Sequence, residues 1–345
     1  MNPSTHSSRP SLASLAKRRE IVLLVLIVAL LAAVGARAPV FLTPSSLADV
    51  LTDTAILLML ACGQMAVILT RGIDLSVASN MAFTGMCTAL LSKYHPELPI
   101  VVTLALAPLI GFCLGAINGA LIAWVKIPPI VVTLGTLSAY RGMIFVLSGG
   151  ASVVTHEFSR PYLDFPRQTL FGVPALLWIA ALVCAGMAVF LTLARTGRSL
   201  YAVGGNPLAA RYVGIGIERC QFLVYCLSGT IAGLCGYLWV SRYAIAFTEV
   251  AFGYELTVIA ACVIGGVSVA GGIGTVSGCL LGGLFLGIIG NALPVIQVSP
   301  FWQMAISGLV ILCAVIVNSR GEARKGKLIL RDRSPSEPQI RPETA

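Results

Sequence analysis

Two long apolar halves of this chain are separated by a short polar stretch, Gly204-Gly205-Asn206-Pro207-Leu208-Ala209-Ala210-Arg211-Tyr212-Val213-Gly214-Ile215. Its first four residues predict a turn that leads into a helix, with Asn206 as N-cap and Pro207 at the first helical position. Residues 208–213 then predict about two helical turns, and Gly214 is typical of a helix end. Such a helix can bind another protein, or it can be a solvated connector without a partner.

The composition around this stretch is that of a membrane protein. The chain has 345 residues, of which 57% are hydrophobic and 11% are charged, and its mean hydropathy is +0.91. Soluble domains carry roughly 25% charged residues, so this chain has too little polar surface to cover a water-soluble globule. The formal net charge of +9 is typical of cytoplasmic Lys and Arg beside membrane spans. We therefore expect the lipid bilayer, and no nucleic acid, as its surroundings.

No metal, cofactor or nucleotide site is predicted. The ten cysteines have no C-x-x-C spacing and there are three histidines, so buried apolar cysteine is the favoured interpretation. The stretch Gly321–Lys327 fits the first seven positions of a phosphate-binding loop, but Leu328 stands where Ser or Thr would bind magnesium. We expect this chain to be no enzyme and to hydrolyse no ATP itself.

Apolar runs of about 20 residues, the length that crosses a bilayer, predict an all-α polytopic membrane protein. About ten transmembrane helices are predicted, at residues 21–39, 52–70, 72–91, 99–123, 129–147, 171–194, 220–241, 255–275, 276–293 and 301–318.

Basic residues lie mainly on one side of this arrangement, which places both termini in the cytoplasm by the positive-inside rule. The predicted organisation is a cytoplasmic segment 1–20, a membrane domain 21–318 with a cytoplasmic loop 195–219, and a cytoplasmic tail 319–345.

Four charged residues lie in or beside the spans, where they are costly unless paired or hydrated. We expect Asp74 to cap a helix beginning at Leu75 and to pair with Arg71, although direct contact with a transported molecule is an alternative. Arg141 needs a buried partner or water, or it extends to the outer interface. Glu255 is interpreted as an acid at a helix start.

Polar side chains also occur within the third, fourth and fifth spans, and they predict either a water-lined path or hydrogen bonds between helices. The candidates for a path are Ser76, Asn80, Asn118, Thr136 and Tyr140.

Glycines at four-residue spacing predict close helix packing. They are Gly111, Gly115 and Gly119 in the fourth span, with Gly229 and Gly233 in the seventh. The glycine-rich stretch 261–274 predicts irregular backbone, which at membrane depth lies beside protein or a cavity.

Five motifs in this order resemble the membrane permease subunits of bacterial carbohydrate ABC importers, in the branch for ribose, xylose, rhamnose and autoinducer-2. They are Arg71–Val77, Lys126–Pro128 with Thr133–Thr136, Tyr140–Gly142, Gly204–Pro207 with Ala209–Arg211, and Ile264–Ser268 with Gly271-Gly272. The resemblance covers about residues 45–318. The residues Ser299–Trp302 with Ile306–Gly308 look most like rhamnose and autoinducer-2 permeases. Ala78 stands where the family usually has glycine.

This resemblance implies a multi-pass subunit of the bacterial inner membrane that works with a second permease, identical or related. It implies a periplasmic sugar-binding protein and cytoplasmic ABC ATPase subunits as further partners. The loop that docks on the ATPase would comprise Gly204, Gly205, Asn206, Pro207, Ala209, Ala210, Arg211 and Gly214.

A stand-alone, ion-coupled secondary transporter of small polar solutes is the alternative function. It would need acids near the bilayer midplane, whereas the predicted positions of Asp49, Asp53, Asp74, Glu249 and Glu255 are near span ends.

Overall fold

The computed structural model describes residues 19–297 and, beyond them, Ala305, Gly308, Leu309 and Leu312. The described chain is predominantly helical, as predicted. Its helices are α1 (Arg19–Arg37), α2 (Pro44–Leu69), α3 (Val77–Tyr94), α4 (Ile100–Ala123), α5 (Pro129–Ser148), α6 (Arg160–Asp164), α7 (Ala175–Leu193), α8 (Arg195–Gly205), α9 (Pro207–Tyr212), α10 (Ile217–Tyr243), α11 (Tyr254–Ile264) and α12 (Val276–Val295). Two short strands, β1 (Thr169–Leu170) and β2 (Val173–Pro174), form an antiparallel hairpin before α7.

Seven of the described helices are long and apolar enough to cross a membrane, namely α1, α2, α4, α5, α7, α10 and α12. Helix α3 corresponds to the predicted third span, but it begins at Val77 rather than residue 72 and buries polar side chains such as Asn80 and Thr84. The predicted tenth span 301–318, almost all of the segment 1–20 and the tail 319–345 lie outside the described residues, apart from the few positions named above.

The prediction of one long eighth span over 255–275 is wrong. Helix α11 has 11 residues, which at 1.5 Å per residue is about 16 Å and roughly half the hydrocarbon core. Beyond it the backbone is irregular, as the glycines predicted. Gly266, Gly271 and Gly272 have φ values of +89°, +86° and +72°, a region that residues with a Cβ rarely adopt.

Helices α2 and α10 are buried along most of their length, whereas α1, α4, α5 and α7 leave most of theirs exposed. The predicted close packing at the glycines of the fourth and seventh spans is confirmed, and the two sets of glycines face each other between α4 and α10. A Cβ on Gly115 would lie 3.0 Å from the Cα of Gly229, and one on Gly111 would lie 2.6 Å from the Cα of Gly233. Any side chain at these positions would push the two helices apart.

Candidate functional site

Helix α9 is defined by capping at both ends. The side-chain oxygen of Asn206 accepts a hydrogen bond from the amide of Ala209 at 3.0 Å, and Pro207 occupies the first turn. At the other end Gly214 has a φ of +82°, and the amide of Ile215 donates to the carbonyl of Ala210 at 3.0 Å. This is a glycine-terminated helix end. The predicted roles of Asn206, Pro207 and Gly214 in shaping this helix are confirmed.

The prediction of a turn at Gly204-Gly205 is wrong, because both residues end helix α8. This helix is amphipathic: it buries Gly197, Leu200, Val203 and Gly204, spaced three, three and one residues apart on one side. Glycine is a poor helix former, so Gly204-Gly205 favoured a turn in the sequence analysis. The spacing of Gly197, Leu200 and Val203 could have predicted the helix. Helices α8 and α9 thus follow each other directly, separated only by the non-helical Asn206. We call the two helices together the α8–α9 segment.

Three apolar side chains of this segment point away from the protein. Leu208, Tyr212 and Val213 are 69%, 85% and 74% exposed, and we call them the α9 patch. Leu208 and Tyr212 are four residues apart and therefore neighbours on one helix face. Ala210 is buried and seats α9 on the protein. The sequence prediction omitted the patch, although apolar residues at this spacing in a polar loop were a signal for it.

Arg211 and Lys126 tie the end of α9 to α10. The guanidinium of Arg211 lies 3.1 Å, and the ammonium of Lys126 2.7 Å, from the same carboxylate oxygen of Glu218 in the first turn of α10. Lys126 belongs to the turn between α4 and α5. One carboxylate therefore joins three elements at this end of the molecule.

Arg71 binds the end of α8, next to the N-cap of α9. Its Nε donates to the carbonyl of Gly204 at 2.7 Å and its Nη2 donates to the carbonyl of Gly205 at 3.1 Å. These are the last two residues of α8, whose carbonyls have no partner within the helix. The prediction that Arg71 pairs with Asp74 is therefore wrong: no ion pair joins the two within the described chain, because the guanidinium is bound to the end of α8.

Asp74 is buried and organises the start of α3. One carboxylate oxygen accepts bonds from the amide and hydroxyl of Ser76 at 2.9 and 2.7 Å, and the other lies 3.5 Å from the hydroxyl of Ser228 on α10. Ser76 in turn accepts a bond from the side-chain amide of Asn118 on α4 at 2.8 Å. The prediction that Asp74 caps the helix is wrong, because the N-cap of α3 is Ser76 and the helix begins at Val77, two residues later than predicted. Asp74 instead bonds to Ser76 from the preceding loop. We call Asp74, Ser76, Asn118 and Ser228 the Asp74 cluster.

The other candidates for a path also bond within the protein. The side-chain amide of Asn80 donates to the carbonyl of Gly111 at 3.2 Å, and the hydroxyl of Tyr140 donates to that of Leu114 at 2.9 Å. Both side chains are buried. Thr136 is half-buried, and its hydroxyl donates to backbone within α5. Asn80 and Tyr140 thus join α3 and α5 to α4 by hydrogen bonds, whereas Thr136 bonds within its own helix.

At the opposite face, Arg141 finds backbone partners. Its Nη1 donates to the carbonyls of Val250 and Thr248 at 2.6 and 3.3 Å, in the loop between α10 and α11. Glu255 is the second residue of α11, so it lies at a helix start as expected. Arg141 thus has backbone partners in this loop and is half-buried.

Long apolar helices that pack around a core with several buried polar side chains are typical of a multi-pass membrane protein. The chain belongs to the family described as branched-chain amino acid transport system / permease component, whose model matches residues 46–315. It is thus a membrane permease component and no enzyme.

Two relatives confirm the predicted resemblance. The chain is 37% identical over 307 residues to the autoinducer 2 import system permease protein LsrC of Shigella flexneri, covering 88% of this chain and 87% of that protein. It is 36% identical over 299 residues to the ribose import permease protein RbsC of Escherichia coli (strain K12), covering 86% and 92%. No solved structure matches the chain.

Proposed function

We propose that this chain is the transmembrane permease subunit of an ATP-binding-cassette importer that moves a sugar or sugar-like molecule across the bacterial inner membrane. The names of the relatives support ribose and autoinducer-2 as the substrates to test first, and the residues around 299–308 favour rhamnose as a third. A periplasmic sugar-binding protein would deliver the solute, and separate ATPase subunits in the cytoplasm would supply the energy.

The observation that carries the proposal is the α9 patch. Leu208, Tyr212 and Val213 are exposed together on the face that we place in water. Exposed apolar patches mark interaction sites, so these side chains support a protein partner that covers them. Helix α9 is short and capped at both ends. It is tied to α10 through Arg211 and Glu218, and it directly follows the end of α8, which Arg71 binds. A partner that binds it can therefore move those helices. The docking segment comprises Gly204, Gly205, Asn206, Pro207, Ala209, Ala210, Arg211 and Gly214, together with the patch.

A cytoplasmic position for this segment agrees with the distribution of charge. Exposed basic residues gather around α8 and α9, namely Arg71, Lys126, Arg195, Arg198, Arg211 and Arg219. Such residues concentrate on the cytoplasmic side of membrane proteins. We propose ten spans with both termini on this side, the tenth span and the tail following α12.

A second permease, identical or related, would complete the transport path. Helix α5 exposes the small residues Gly135, Ser138, Ala139 and Gly142 along one side, and nothing lies within 4 Å of a Cβ built on Gly135 or Gly142. Small residues allow membrane helices to approach closely. We propose that the two permeases meet along this side and that solute passes there, beside Thr136.

The test is uptake into proteoliposomes that contain this permease, its ATPase and its binding protein, with ribose, autoinducer-2 and rhamnose offered separately. We expect uptake of one of them only when ATP is enclosed with the ATPase domains, and no effect of a protonophore. Uptake that persists without ATP and collapses with the protonophore would establish the secondary transporter instead.

A further inference from the structure

We propose that Arg71 is the positioning residue that fixes the docking segment to the membrane helices, so that movement of α9 reaches the Asp74 cluster. This inference rests on the proposed function. It adds a residue outside the docking segment, on the loop between α2 and α3, and assigns it to transmission rather than to docking.

The first argument is where the guanidinium binds. It bridges the carbonyls of Gly204 and Gly205 with its Nε and one Nη at 2.7 and 3.1 Å, and the next residue, Asn206, is the N-cap of α9. The carboxyl end of a helix carries partial negative charge and unpaired carbonyls. A forked cation fits this end as a lysine ammonium cannot. Arg71 therefore fixes the hinge between α8 and α9.

A second argument is the closeness of three backbones at this point. The amide of Gly272 donates to the carbonyl of Leu69 at 3.0 Å, and a Cβ on Gly204 would collide with both Leu69 and Gly272. A Cβ on Gly271 would lie 2.6 Å from Cγ of Arg71. The end of α2, the end of α8 and the loop after α11 thus meet with no room for a further side chain. We call this meeting point the Arg71 junction.

The third argument is the short route from the junction into the core. Asp74 lies three residues beyond Arg71, and its carboxylate contacts Ser76 and Ser228. Between them, the carbonyl of Ile73 accepts a bond from the hydroxyl of Thr133 on α5 at 3.2 Å. The loop that carries Arg71 therefore touches α3, α5 and α10 directly. Contiguous packed and hydrogen-bonded groups of this kind can carry coupling between two sites.

The backbone of Arg71 supplies a decisive variant. Its φ is +66°, a left-handed conformation that glycine adopts without strain. The amides of Arg71 and Gly72 donate to the carbonyls of Ile68 and Val67, which is the helix end that usually has glycine at this position. Arg71→Gly thus removes the guanidinium and relieves the backbone, so that misfolding does not explain a loss of coupling.

Arg167 supplies a matched control. Its Nη2 donates to the carbonyls of Ser241 and Arg242 at 2.8 and 3.1 Å, at the end of α10 on the opposite face. It is the same chemistry, a guanidinium on two consecutive carbonyls near a helix end, but it lies far from α9. Arg167→Ala removes an equal charge and a similar pair of bonds.

The experiment measures two quantities on the complete importer in proteoliposomes: solute imported per ATP hydrolysed, and the Kd of the ATPase for the permease. Ribose and autoinducer-2 are first offered to the wild type. The solute that the wild type imports is then used for all variants. We expect Arg71→Gly to lower import per ATP by about tenfold, a typical coupling between sites, with an unchanged Kd. Arg71→Lys should lie between that variant and the wild type, and Arg167→Ala should match the wild type in import per ATP.

Import per ATP that is unchanged in Arg71→Gly would overturn the inference. So would a weakened Kd in this variant, because Arg71 would then serve docking. A wild-type permease that binds no ATPase would overturn the proposed function, and this inference with it; the two failures are therefore distinguishable.

Discussion

The Asp74 cluster and the α9 segment are both polar interruptions of an apolar chain, yet they are built in opposite ways. In the cluster, side chains of α4, of α10 and of the loop before α3 are buried and bond to one another. Helix α9 is held by its buried Ala210, by the bond of Arg211 to Glu218 and, through α8, by Arg71, while Leu208, Tyr212 and Val213 are exposed. Buried polar groups fix the positions of helices, whereas a helix that is buried on one side only keeps an exposed surface for a partner.

The largest effect should come from removing the centre of the cluster. Asp74→Ala leaves the amide and hydroxyl of Ser76 and the hydroxyl of Ser228 without their acceptor. Each buried polar group without a partner costs about 1–3 kcal/mol. We expect a marked fall in the thermal inactivation midpoint of the detergent-solubilised protein and a poor yield of folded protein.

The conservative variant sharpens this prediction. Asp74→Asn keeps one acceptor oxygen for Ser76, so we expect it to lose less stability than Asp74→Ala. A wild-type midpoint for Asp74→Ala would show that the cluster does not hold the helices in place.

The next largest effect should come from the α9 patch, and it should leave folding intact. Tyr212→Asp places a charge in the centre of the proposed contact, where central aromatic residues often contribute 2 kcal/mol or more. We expect ATP-driven uptake to fall at least about tenfold while membrane insertion and the thermal midpoint stay unchanged. Tyr212→Phe keeps the ring and serves as the control, with uptake near the wild type. Normal uptake by Tyr212→Asp would refute a role for the patch.

An intermediate effect is expected at the N-cap of α9. Asn206→Ala removes the bond to the amide of Ala209, and such a loss costs about 1 kcal/mol. Hydrogen exchange of the α9 amides should accelerate about fivefold, with a several-fold loss of uptake. Asp is as good an N-cap as Asn, so Asn206→Asp should restore both; failure of that rescue would mean that Asn206 acts by another route.

The smallest effect should come from the ion pairs of Glu218. Exposed ion pairs contribute less than about 1 kcal/mol, and the side chains of Arg211 and Lys126 are 67% and 57% exposed. An exposed ion pair often contributes about 0.4 kcal/mol, which corresponds to a factor of about two in an equilibrium constant. We therefore expect Glu218→Gln to keep uptake within about twofold of the wild type. A loss of uptake as large as that expected for Tyr212→Asp would show that the ion pairs of Glu218 contribute as much to transport as the α9 patch.

The seven long apolar helices and the capping of α9 were predictable because they depend on local sequence. Apolar runs of membrane length are read directly, and Asn206-Pro207 and Gly214 fix a helix start and a helix end through their own backbone preferences. The glycines of α4 and α10 were predictable for a similar reason, since their spacing alone aligns them on one helix side.

Contacts between distant parts of the chain were not predictable in this way. Arg71 and Asp74 are close in sequence and opposite in charge, so an ion pair was the natural expectation, but the left-handed backbone at Arg71 turns its side chain toward Gly204, 133 residues away. The irregular loop after α11 likewise contacts distant parts of the chain, since Gly271 and Gly272 lie against the ends of α2 and α8. A single sequence contains no record of such packing.

The most direct test of the central claim is the Kd of the ATPase for this permease in lipid nanodiscs, compared between the wild type and Tyr212→Asp. The account predicts binding that is weaker by at least about tenfold in the variant, with an unchanged thermal midpoint. Equal Kd values for the two proteins would contradict it, because the α9 patch would then not be where the ATPase binds.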